Sequence, residues 1–453
     1  MSPRANAIIL AAGKGTRMKS SLPKVLHRLC GRTMFEHVLL AVVKAGIDPA
    51  RIVVVVSPEL EEPLEKLGAH TVVQQPQNGT GHAARLAMDE LPGDDPVLVV
   101  NADMPLLTPA LLGAVVDVRE RGRAALSMLT THMPGATSFG RVVRRSGRPA
   151  RIVEHTDATP DELLITEVNA GAYCFKASAL RDYLKRLNTK NAQKELYLTD
   201  CVQLAVDSGA LVEAVVSKDH HSVLGVNTLV ELAIARRVMQ RRILREHMLA
   251  GVSIVDPQTT YVDADVDLAA DVTLLPQTHV LGTSVVGPGS VIGPNTTLHN
   301  ATIGRDVTIT YSVVRDSAVA SKATVGPFAH IRNGAQIEEA ARVGNFVEIK
   351  NSRLGRGAKA SHLSYLGDAE IGDEANIGAG TITCNYDGER KNKTVVGARA
   401  SIGSNTSLVA PVEIGDGALT GAGSVVTHDV PAGERVAGNP ARPMPKKERV
   451  KKP

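Results

Sequence analysis

The chain has 453 residues, is 43% hydrophobic and carries a formal net charge of only +4 at pH 7. This length exceeds what one hydrophobic core usually supports, so we expect two or three folded, soluble domains. Five phenylalanines, seven tyrosines and no tryptophan argue against the aromatic stacking surfaces of single-strand nucleic-acid binders, and we expect no nucleic-acid partner.

The longest apolar runs, such as the one around Val53, have the length of a strand rather than of a membrane span. The N-terminus also lacks a signal-peptide pattern, so we expect a cytoplasmic protein without membrane insertion. Four cysteines are scattered without the spacing of metal ligands, which predicts free thiols in a reducing compartment and no structural metal. They are Cys30, Cys174, Cys201 and Cys384.

In residues 1–227, short aliphatic runs alternate with longer helical patterns. The runs that indicate buried strands are Ala7 to Leu10, Ile52 to Val56, Val97 to Val100 and Ala170 to Phe175. This alternation predicts a Rossmann-like α/β domain whose largely parallel sheet is covered by helices. A helix over 228–251, with Thr228 as its cap and Gly251 as its stop, is predicted to link this domain to the next.

Beyond that helix the hydrophobic period changes to six residues, as at Val262, Leu268, Leu274, Val280 and Val286. The fourth residue after each large apolar residue is usually small or branched. Such a repeat predicts a parallel β-helix over 252–440, followed by a basic, solvated tail at 441–453. The pattern resembles the hexapeptide-repeat acyltransferases and sugar-nucleotide enzymes, which implies a left-handed helix of three faces and roughly eight or nine coils over 262–426.

The stretch IILAAGKGTRM, residues 8–18, runs from an apolar strand directly into a glycine-rich loop. Backbone N–H groups in such a loop can bind phosphate oxygens, helped by the positive end of a following helix. The loop lacks the closing residues of a P-loop and the full dinucleotide pattern, so a mere tight connection is the alternative. We expect an anion site here, with a helix directly after it.

The segment LAAGKGTRMKSSLPK, residues 10–24, resembles the signature of nucleotidyltransferases that make nucleoside-diphosphate sugars. Six further segments follow in that family's order: QQPQNGTGHA, NADMPLL, FGRVV, IVEH, EVNAGAY and VLGVN. The residues that the resemblance implies for nucleotide and sugar binding are Leu10, Ala11, Ala12, Gly13, Gly15, Arg17, Lys24, Gln74, Gly79, Thr80, Asp103, Gly140, Glu154, Asn169 and Asn227.

Within that set the resemblance implies that Gln74, Gly79 and Thr80 read uracil and that Asp103 and Asn227 hold Mg²⁺, a hard ion that binds few protein oxygens. The implied reaction is attack of a sugar 1-phosphate oxygen on the α-phosphorus of UTP, with release of pyrophosphate. Arg17 and Lys24 would neutralise the leaving charge, and no base is needed because the nucleophile is already ionised.

One departure from the family pattern precedes the predicted metal ligand. Where the family usually has Tyr-Gly-Asp, this chain has Asn101, Ala102 and Asp103. We expect the added methyl group of Ala102 to crowd a place where the backbone approaches the nucleotide.

Counting in steps of six places four polar residues of the β-helix near one corner. Arg332 and Lys350 each follow an apolar residue and lie one coil apart, while His362 and Tyr365 are expected on the neighbouring face, just before that corner. Two cations suit a sugar phosphate, and an imidazole can take the proton of an attacking amine. A column of small residues running from His362 would leave a groove for an extended ligand.

These residues resemble the acetyltransferase half of the bacterial bifunctional N-acetylglucosamine-1-phosphate uridyltransferases / glucosamine-1-phosphate N-acetyltransferases, a resemblance that covers essentially the whole chain. It implies acetyl-CoA as co-substrate, His362 as general base, and a homotrimer with active sites between subunits. Glucosamine 1-phosphate would be bound by Arg332, Lys350, Tyr365, Asn376 and Asn385, with Tyr386 completing the pocket from the insertion at 383–395. Acetyl-CoA would lie along Ala379, Ser404 and Ala422.

Several alternatives stay open at this point. A thiolate at Cys384 could accept the acetyl group in a thioester relay, although direct transfer is the simpler mechanism. The phosphate of the cofactor could be held by Arg435 or by Arg442. The whole chain could instead be a monofunctional sugar-nucleotide pyrophosphorylase with a regulatory β-helix, or a non-catalytic scaffold of the same two-domain shape.

Overall fold

The computed structural model describes residues 5–133, 135 and 138–444; the last part of the predicted basic tail, 445–453, lies outside the described residues. The chain divides into two compact units, one ending at Met239 and one beginning at Gln240. The boundary falls inside the predicted linker helix, which spans Leu229–Leu249. As predicted, Thr228 caps this helix: its hydroxyl accepts the backbone N–H of Glu231 at 3.2 Å.

The first unit is built on a mostly parallel sheet with strand order β11-β7-β10-β6-β1-β4-β5. Strands β8 and β9 extend it as a hairpin beside β10, and β2 pairs only with β3. The strands are β1 (Asn6–Leu10), β2 (Arg28–Leu29), β3 (Arg32–Thr33), β4 (Ile52–Val56), β5 (His70–Val73), β6 (Val97–Asn101), β7 (Leu126–His132), β8 (Arg141–Arg145), β9 (Arg148–Val153), β10 (Glu167–Phe175) and β11 (Val212–Ser217).

All four predicted strands are present, and the prediction of a largely parallel sheet is confirmed for β1, β4, β5 and β6. The strand that contains Ala170 to Phe175 is the exception, because β10 runs antiparallel to both β6 and β7. Successive side chains of β1 point to opposite faces, so Ile8 and Ile9 belong to separate hydrophobic cores on the two sides of the sheet.

Helices cover both faces of this sheet, which explains why its strands are apolar on both sides. On one side, Phe35 and Val42 of α1 are fully buried in the core that contains Ile9. The helices are α1 (Met34–Lys44), α2 (Glu61–Glu65), α3 (Thr80–Glu90), α4 (Pro109–Gly122), α5 (Pro160–Leu163), α6 (Ala177–Arg186), α7 (Asp200–Asp207) and α8 (Leu229–Leu249).

The expectation of a helix directly after the glycine-rich loop is wrong. The loop leads only into a single 3₁₀ turn, Thr16–Met18, which ends at Lys19 in the left-handed conformation (φ 49°). Pro23 and a second short 3₁₀ turn, Lys24–Leu26, follow. The loop therefore presents its own backbone N–H groups and nearby cationic side chains, without the dipole of a long helix.

The second unit is a parallel β-helix with three flat faces. The first face has twelve strands: Ser253–Ile254, Thr273–Leu274, Val291–Ile292, Thr308–Ile309, Thr324–Val325, Arg342–Asn345, Lys359–His362, Asn376–Ile377, Ser401–Ile402, Leu419–Thr420, Arg435–Ala437 and Arg442–Pro443. The second face has ten: Tyr261–Val262, His279–Leu281, Thr297–His299, Val313–Arg315, His330–Arg332, Glu348–Lys350, Tyr365–Gly367, Ile382–Cys384, Ser407–Val409 and Val425–Val426. The third has nine: Asp267–Leu268, Val285–Val286, Thr302–Ile303, Ala318–Val319, Gln336–Ile337, Arg353–Leu354, Ala369–Ile371, Thr394–Val396 and Val412–Ile414.

The six-residue pattern fixes the interior of this helix as predicted. Ile331 lies directly below Ile349, one coil later, and both side chains are fully buried. Burying an aliphatic side chain of this size stabilises the fold by about 1.5–3 kcal/mol, and the small residues between them, such as Ala335 and Ala341, let the coils stack closely. The ten strands of the second face, from Tyr261–Val262 to Val425–Val426, are separated by nine coils, in agreement with the expected number. Coil length varies, and the coil between Thr297 and Val313 is shorter than 18 residues.

Across the described residues, no helix combines the length and the apolar character needed to cross a membrane. In the same part of the chain, which holds all four cysteines, no disulfide is formed.

Candidate functional site

The parallel strands β1 and β6 are neighbours, with Leu10 directly beside Asn101. Their carboxyl ends therefore bring the glycine-rich loop and Asp103 to the same edge of the sheet, the usual ligand-binding edge of such sheets. Gly15 has a left-handed backbone (φ 60°), and a Cβ atom there would lie only 2.9 Å from the Cβ of Lys24. The glycine thus lets Lys24 pack against the loop.

Four predicted residues form one polar cluster at this edge. The Lys24 ammonium donates to Asp103 Oδ2 at 2.5 Å and to Asn227 Oδ1 at 3.0 Å, and Arg17 Nη2 donates to the same Asn227 oxygen at 2.9 Å. The backbone explains how distant segments meet, because the Val226 N–H donates to the Asp103 carbonyl at 2.8 Å. Two cations and two oxygen ligands therefore converge at one place.

All the nucleotide and sugar residues predicted from the sequence line one of two cavities of this unit, of about 530 and 630 Å³. The smaller cavity is walled by the glycine-rich loop, Lys24, Gln74 and Gly79. Arg17, Asp103 and Asn227 line both cavities. This arrangement can accommodate an elongated ligand whose anionic part lies at the junction.

The larger cavity contains the predicted sugar residues Gly140, Glu154 and Asn169. The Asn169 N–H donates to the Gly140 carbonyl at 2.9 Å, which joins two of them directly. Thr199, which the sequence analysis missed, donates its hydroxyl to Glu154 Oε1 at 3.0 Å, and Tyr197 lies in the same wall. Their segment has no glycine-rich or acidic signature, so only the folded chain places it here.

The half-buried carboxylate of Glu154 is one of the titratable groups of that cavity. Burial raises its pKa above the usual value, the hydrogen bond from Thr199 acts in the opposite direction, and the negative charges of Asp157 and Asp200 raise it further. The Thr199 hydroxyl therefore helps to keep the carboxylate ionised and able to accept hydrogen bonds from a ligand.

The expectation that Ala102 crowds the nucleotide is wrong. Ala102 is fully buried in the core beneath the sheet edge, and neither cavity includes it among its lining residues. Its neighbours Asn101 and Asp103 line both cavities, because side chains alternate at the end of β6. Of the two residues that differ from the family pattern, Asn101 is therefore the one that lines the cavities. Its side-chain amide lies beside Gly171.

In the β-helix, Arg332 and Lys350 are in direct register on the second face. Glu348 accepts two hydrogen bonds from the Arg332 guanidinium, at 2.9 and 2.6 Å. Lys391, which the sequence analysis missed, lies beside Lys350, and the adjacent ammonium lowers the pKa of Lys391. Two neighbouring ammonium groups favour an anion between them. Lys391 lies in the predicted insertion, where only its polar composition was a signal.

The insertion is tied to this cationic group through Asp368. Asn385 and Asn351 both donate side-chain hydrogen bonds to the Asp368 carboxylate. Burial raises the pKa of Asp368, but these two hydrogen bonds and the charge of Lys350 outweigh it, so the net pKa is lowered. Asn385 is buried, as a structural anchor would be, whereas Tyr386 is exposed and donates its hydroxyl to the Gly388 carbonyl at 2.5 Å.

His362 ends a strand of the first face, next to Asn345 one coil below. Its Nδ1 lies 2.6 Å from Asn345 Oδ1, an acceptor, so Nδ1 carries the proton and Nε2 is the basic nitrogen. Asn345 is a further residue that the sequence analysis missed.

The predicted common face for His362 and Tyr365 is wrong. Tyr365 begins the second face, beside Glu348, because the corner falls at residues 363–364. Among the described residues of a single chain, no hydrogen bond or ion pair joins His362 to Arg332, Lys350 or Tyr365.

The predicted column of small residues above His362 is present. The N–H groups of Gly380, Asn405 and Gly423 donate in turn to the carbonyls of His362, Ala379 and Ser404, at 3.3, 2.7 and 2.8 Å. Ser401 pairs with Leu419, which puts Ala422 above Ser404. Asn376 lies on the same face as His362, in register with Lys359 one coil below.

Comparisons with known proteins assign each unit to a family. Residues 7–197 match the model of the MobA-like NTP transferase domain, and residues 393–428 match that of the bacterial transferase hexapeptide with six repeats. The bifunctional protein GlmU of Trichlorobacter lovleyi is 45% identical over 432 residues, which cover 94% of each chain. The chain belongs to the bifunctional GlmU family. The GlmU proteins of Shouchella clausii and Streptomyces coelicolor are each 43% identical, over 94% and 95% of this chain and 94% and 90% of their own length.

Membership of the GlmU family over nearly the whole chain identifies a bifunctional transferase, with a nucleotidyltransferase and an acetyltransferase joined in UDP-N-acetylglucosamine synthesis. The fold is correspondingly an α/β nucleotidyltransferase domain followed by a left-handed β-helix of hexapeptide repeats. A monofunctional pyrophosphorylase or a non-catalytic scaffold of the same two-domain shape would not account for 43–45% identity with bifunctional proteins over 94–95% of the chain.

Proposed function

We propose that residues 1–227 carry uridylyl transfer to N-acetylglucosamine 1-phosphate and that 252–440 carry the preceding acetyl transfer to glucosamine 1-phosphate. The observation that carries the first assignment is the convergence of Lys24, Arg17, Asp103 and Asn227 at the junction of the two cavities. The phosphates of UTP would lie there, the base in the smaller cavity and the sugar in the larger one.

The oxygens of Asp103 and Asn227 fit Mg²⁺. Both already accept hydrogen bonds from one cation, the Lys24 ammonium, so they are directed at a common point. They are also the hard oxygen ligands that Mg²⁺ prefers. When bound, the ion would supply neutralisation of phosphate charge. Lys24 and Arg17 would turn to the phosphates and stabilise the leaving pyrophosphate, so that catalysis consists of positioning and charge neutralisation.

For acetyl transfer, His362 is the proposed general base. Asn345 fixes its tautomer, so Nε2 takes a proton from the amine of glucosamine 1-phosphate as that amine attacks the thioester carbonyl. The C–N bond forms, the C–S bond breaks and coenzyme A leaves as its thiolate. Arg332, Lys350 and Lys391 would hold the sugar phosphate, with Tyr365, Asn376, Asn385 and Tyr386 around it; acetyl-CoA would lie along Ala379, Ser404 and Ala422.

A homotrimer with active sites between subunits is supported by an exposed apolar ladder. Tyr311, Phe328 and Phe346 form a row at the corner between the first and second faces. The Tyr311 and Phe328 rings are tilted with centroids 5.6 Å apart, and the Phe328 and Phe346 rings are stacked at 5.3 Å. Leu363 follows His362 and continues the row, because His362 pairs with Asn345. All four are 42–61% exposed in the isolated chain. Large apolar side chains rarely stay in solvent as a continuous row, and burial against a second subunit would explain them. Within a trimer, a neighbouring subunit can complete the pocket that a single chain leaves open around His362.

The proposal also places the enzyme in the cytoplasm, the compartment that supplies UTP and acetyl-CoA and keeps thiols reduced. Its trimeric part is tested by Phe346→Ser with light scattering. We expect this variant to fall to monomers and to lose acetyl transfer while pyrophosphate release continues. A monomeric variant with full acetyl transfer would contradict the shared site.

The two activities are tested by separate product analysis. One reaction contains glucosamine 1-phosphate and acetyl-CoA, with coenzyme A as the readout. A second, separate reaction contains N-acetylglucosamine 1-phosphate, UTP and Mg²⁺, with pyrophosphate as the readout. We expect His362→Ala to abolish coenzyme A release in the first reaction but to retain pyrophosphate release from UTP in the second. Asp103→Ala should show the opposite loss. If either variant loses both products or neither, the assignment of that residue is wrong.

A further inference from the structure

The carboxamide of Gln74 has both of its N–H groups engaged by the protein. Its Nε2 donates to the Gly79 carbonyl at 2.9 Å and also lies 3.1 Å from His82 Nδ1. An amide nitrogen carries two hydrogens and accepts none, so these two contacts use its whole donor capacity. Gln74 is 3% exposed and its backbone N–H donates to the Val56 carbonyl, so the side chain is held from both ends.

The orientation of this amide is fixed by the chemistry of its partners. If the group were turned over, Oε1 would face the Gly79 carbonyl oxygen, and two acceptors cannot bond. Since Nε2 must therefore face both partners, His82 Nδ1 must be the acceptor, which requires an imidazole whose single proton is on Nε2.

The environment of His82 favours that neutral form. Burial lowers its pKa below the usual value and the positive charge of Arg85 lowers it further, while a hydrogen bond with the backbone of Pro76 acts in the opposite direction. His82 itself is only 9% exposed, on the first turn of α3.

The remaining atom, Gln74 Oε1, has no protein hydrogen-bond partner among the described residues, and Gln74 lines the smaller cavity. The side chain can thus offer a ligand an acceptor and nothing else. A pyrimidine with an N–H at position 3, such as uracil, can donate to it, whereas cytosine has a lone pair at that position.

We propose that His82 is a positioning residue that sets nucleobase selectivity, because it occupies the second N–H of Gln74 and leaves only an acceptor facing the base. This inference rests on the proposed function, with the base of UTP in the smaller cavity, and on the contact with uracil that the family resemblance implies for Gln74. Without His82, the freed N–H can turn toward the cavity and donate to the ring nitrogen of cytosine, while the Gly79 carbonyl still holds the other hydrogen.

The test compares UTP and CTP as substrates of the full-length enzyme, with pyrophosphate release as the readout. We expect His82→Leu to reduce the ratio of kcat/KM for UTP over CTP about tenfold, the scale of one hydrogen bond, through a higher KM for UTP and a lower KM for CTP. The kcat with saturating UTP should change little, because the reacting phosphates lie elsewhere. His82→Asn places an amide oxygen near the position of Nδ1 and should restore most of the discrimination.

The variant Gln74→Ala distinguishes a failure of the role of His82 from a failure of the assignment of Gln74 to the base, on which it rests. If Gln74→Ala leaves the UTP preference intact, the assignment of Gln74 to the base is wrong. If Gln74→Ala abolishes the preference but His82→Leu keeps the wild-type ratio, the role of His82 alone is overturned. If His82→Leu loses kcat with both UTP and CTP, and His82→Asn does not restore it, His82 only supports the fold.

Discussion

Replacement of Gly79 by alanine should selectively damage uridylyl transfer. Gly79 has φ 96° and ψ 172°, a conformation essentially restricted to glycine. A Cβ atom there would lie 2.7 Å from the Leu196 carbonyl oxygen, 2.8 Å from the Glu195 Cβ and 2.9 Å from the Leu196 nitrogen. The backbone of Leu196 cannot move freely, because its carbonyl accepts from the Gly81 N–H at 2.7 Å and its N–H donates to the Asn78 carbonyl at 3.0 Å.

The backbone conformation alone costs an alanine about 1–3 kcal/mol. If the turn relaxes to avoid this strain, the affinity for UTP falls by a corresponding amount, a roughly 5- to 150-fold rise in KM for UTP. The assay is pyrophosphate release at varied UTP concentration. Acetyl transfer, measured on the same sample, should be unchanged because its residues belong to the other unit.

A matched control is Gly68→Ala. Gly68 also has a positive φ, 82°, but a Cβ atom there would meet nothing within 4 Å, and Gly68 lines neither cavity. Both variants should lose some thermal stability, but only Gly79→Ala should lose affinity for UTP. If Gly79→Ala and Gly68→Ala have the same KM for UTP, the close approach of the turn to Leu196 does not shape the site.

Three further outcomes follow from the geometry. Thr199→Val removes a hydrogen bond that stabilises the ionised Glu154, so the already raised pKa of Glu154 rises further and the acidic limb of kcat/KM for N-acetylglucosamine 1-phosphate moves to higher pH; an unmoved limb would contradict this role. Asn345→Leu leaves His362 without its orienting acceptor and should lower the rate of acetyl transfer about 10- to 100-fold, with the rate of pyrophosphate release unchanged. A wild-type rate of acetyl transfer, or an equal loss of both activities, would refute this role. Cys384→Ala should retain acetyl transfer within about twofold if the amine attacks acetyl-CoA directly; loss of a pre-steady-state burst in this variant would instead support a thioester relay.

The sequence was sufficient to predict the two-domain architecture because each domain has a strong hydrophobic pattern. The alternation of apolar runs and the six-residue ladder each follow from which side chains must be buried, as at Ile331 and Ile349. It was insufficient where short-range geometry decides. Neither the early end of the turn at Met18 nor the corner that moves Tyr365 to the second face is encoded in a hydrophobic period.

The candidate sites show the same limit. Lys24, Asp103 and Asn227 could be predicted because they stand in recognisable segments. The contacts that join these segments, such as the Val226 N–H to the Asp103 carbonyl and Lys24 to Asp103 and Asn227, appear only in the folded chain. Ala102 was misjudged because sequence order does not tell which side of β6 a residue faces at its end. Lys391 lies beside Lys350, which is far from it along the chain, and no pattern of spacing marks such a contact in advance.

The excursion between Cys384 and Thr394 shows how such a scaffold acquires new chemistry. The coils on either side of it remain paired, Glu370 with Val395 and Ile382 with Ser407, so the added residues leave the stacking undisturbed. Doubling the length of a loop costs only about 0.6 kcal/mol in closure entropy. A repeat protein can therefore evolve a longer loop at little cost in stability. Charged residues in that loop can bind a ligand, while the hydrophobic core of the β-helix stays unchanged.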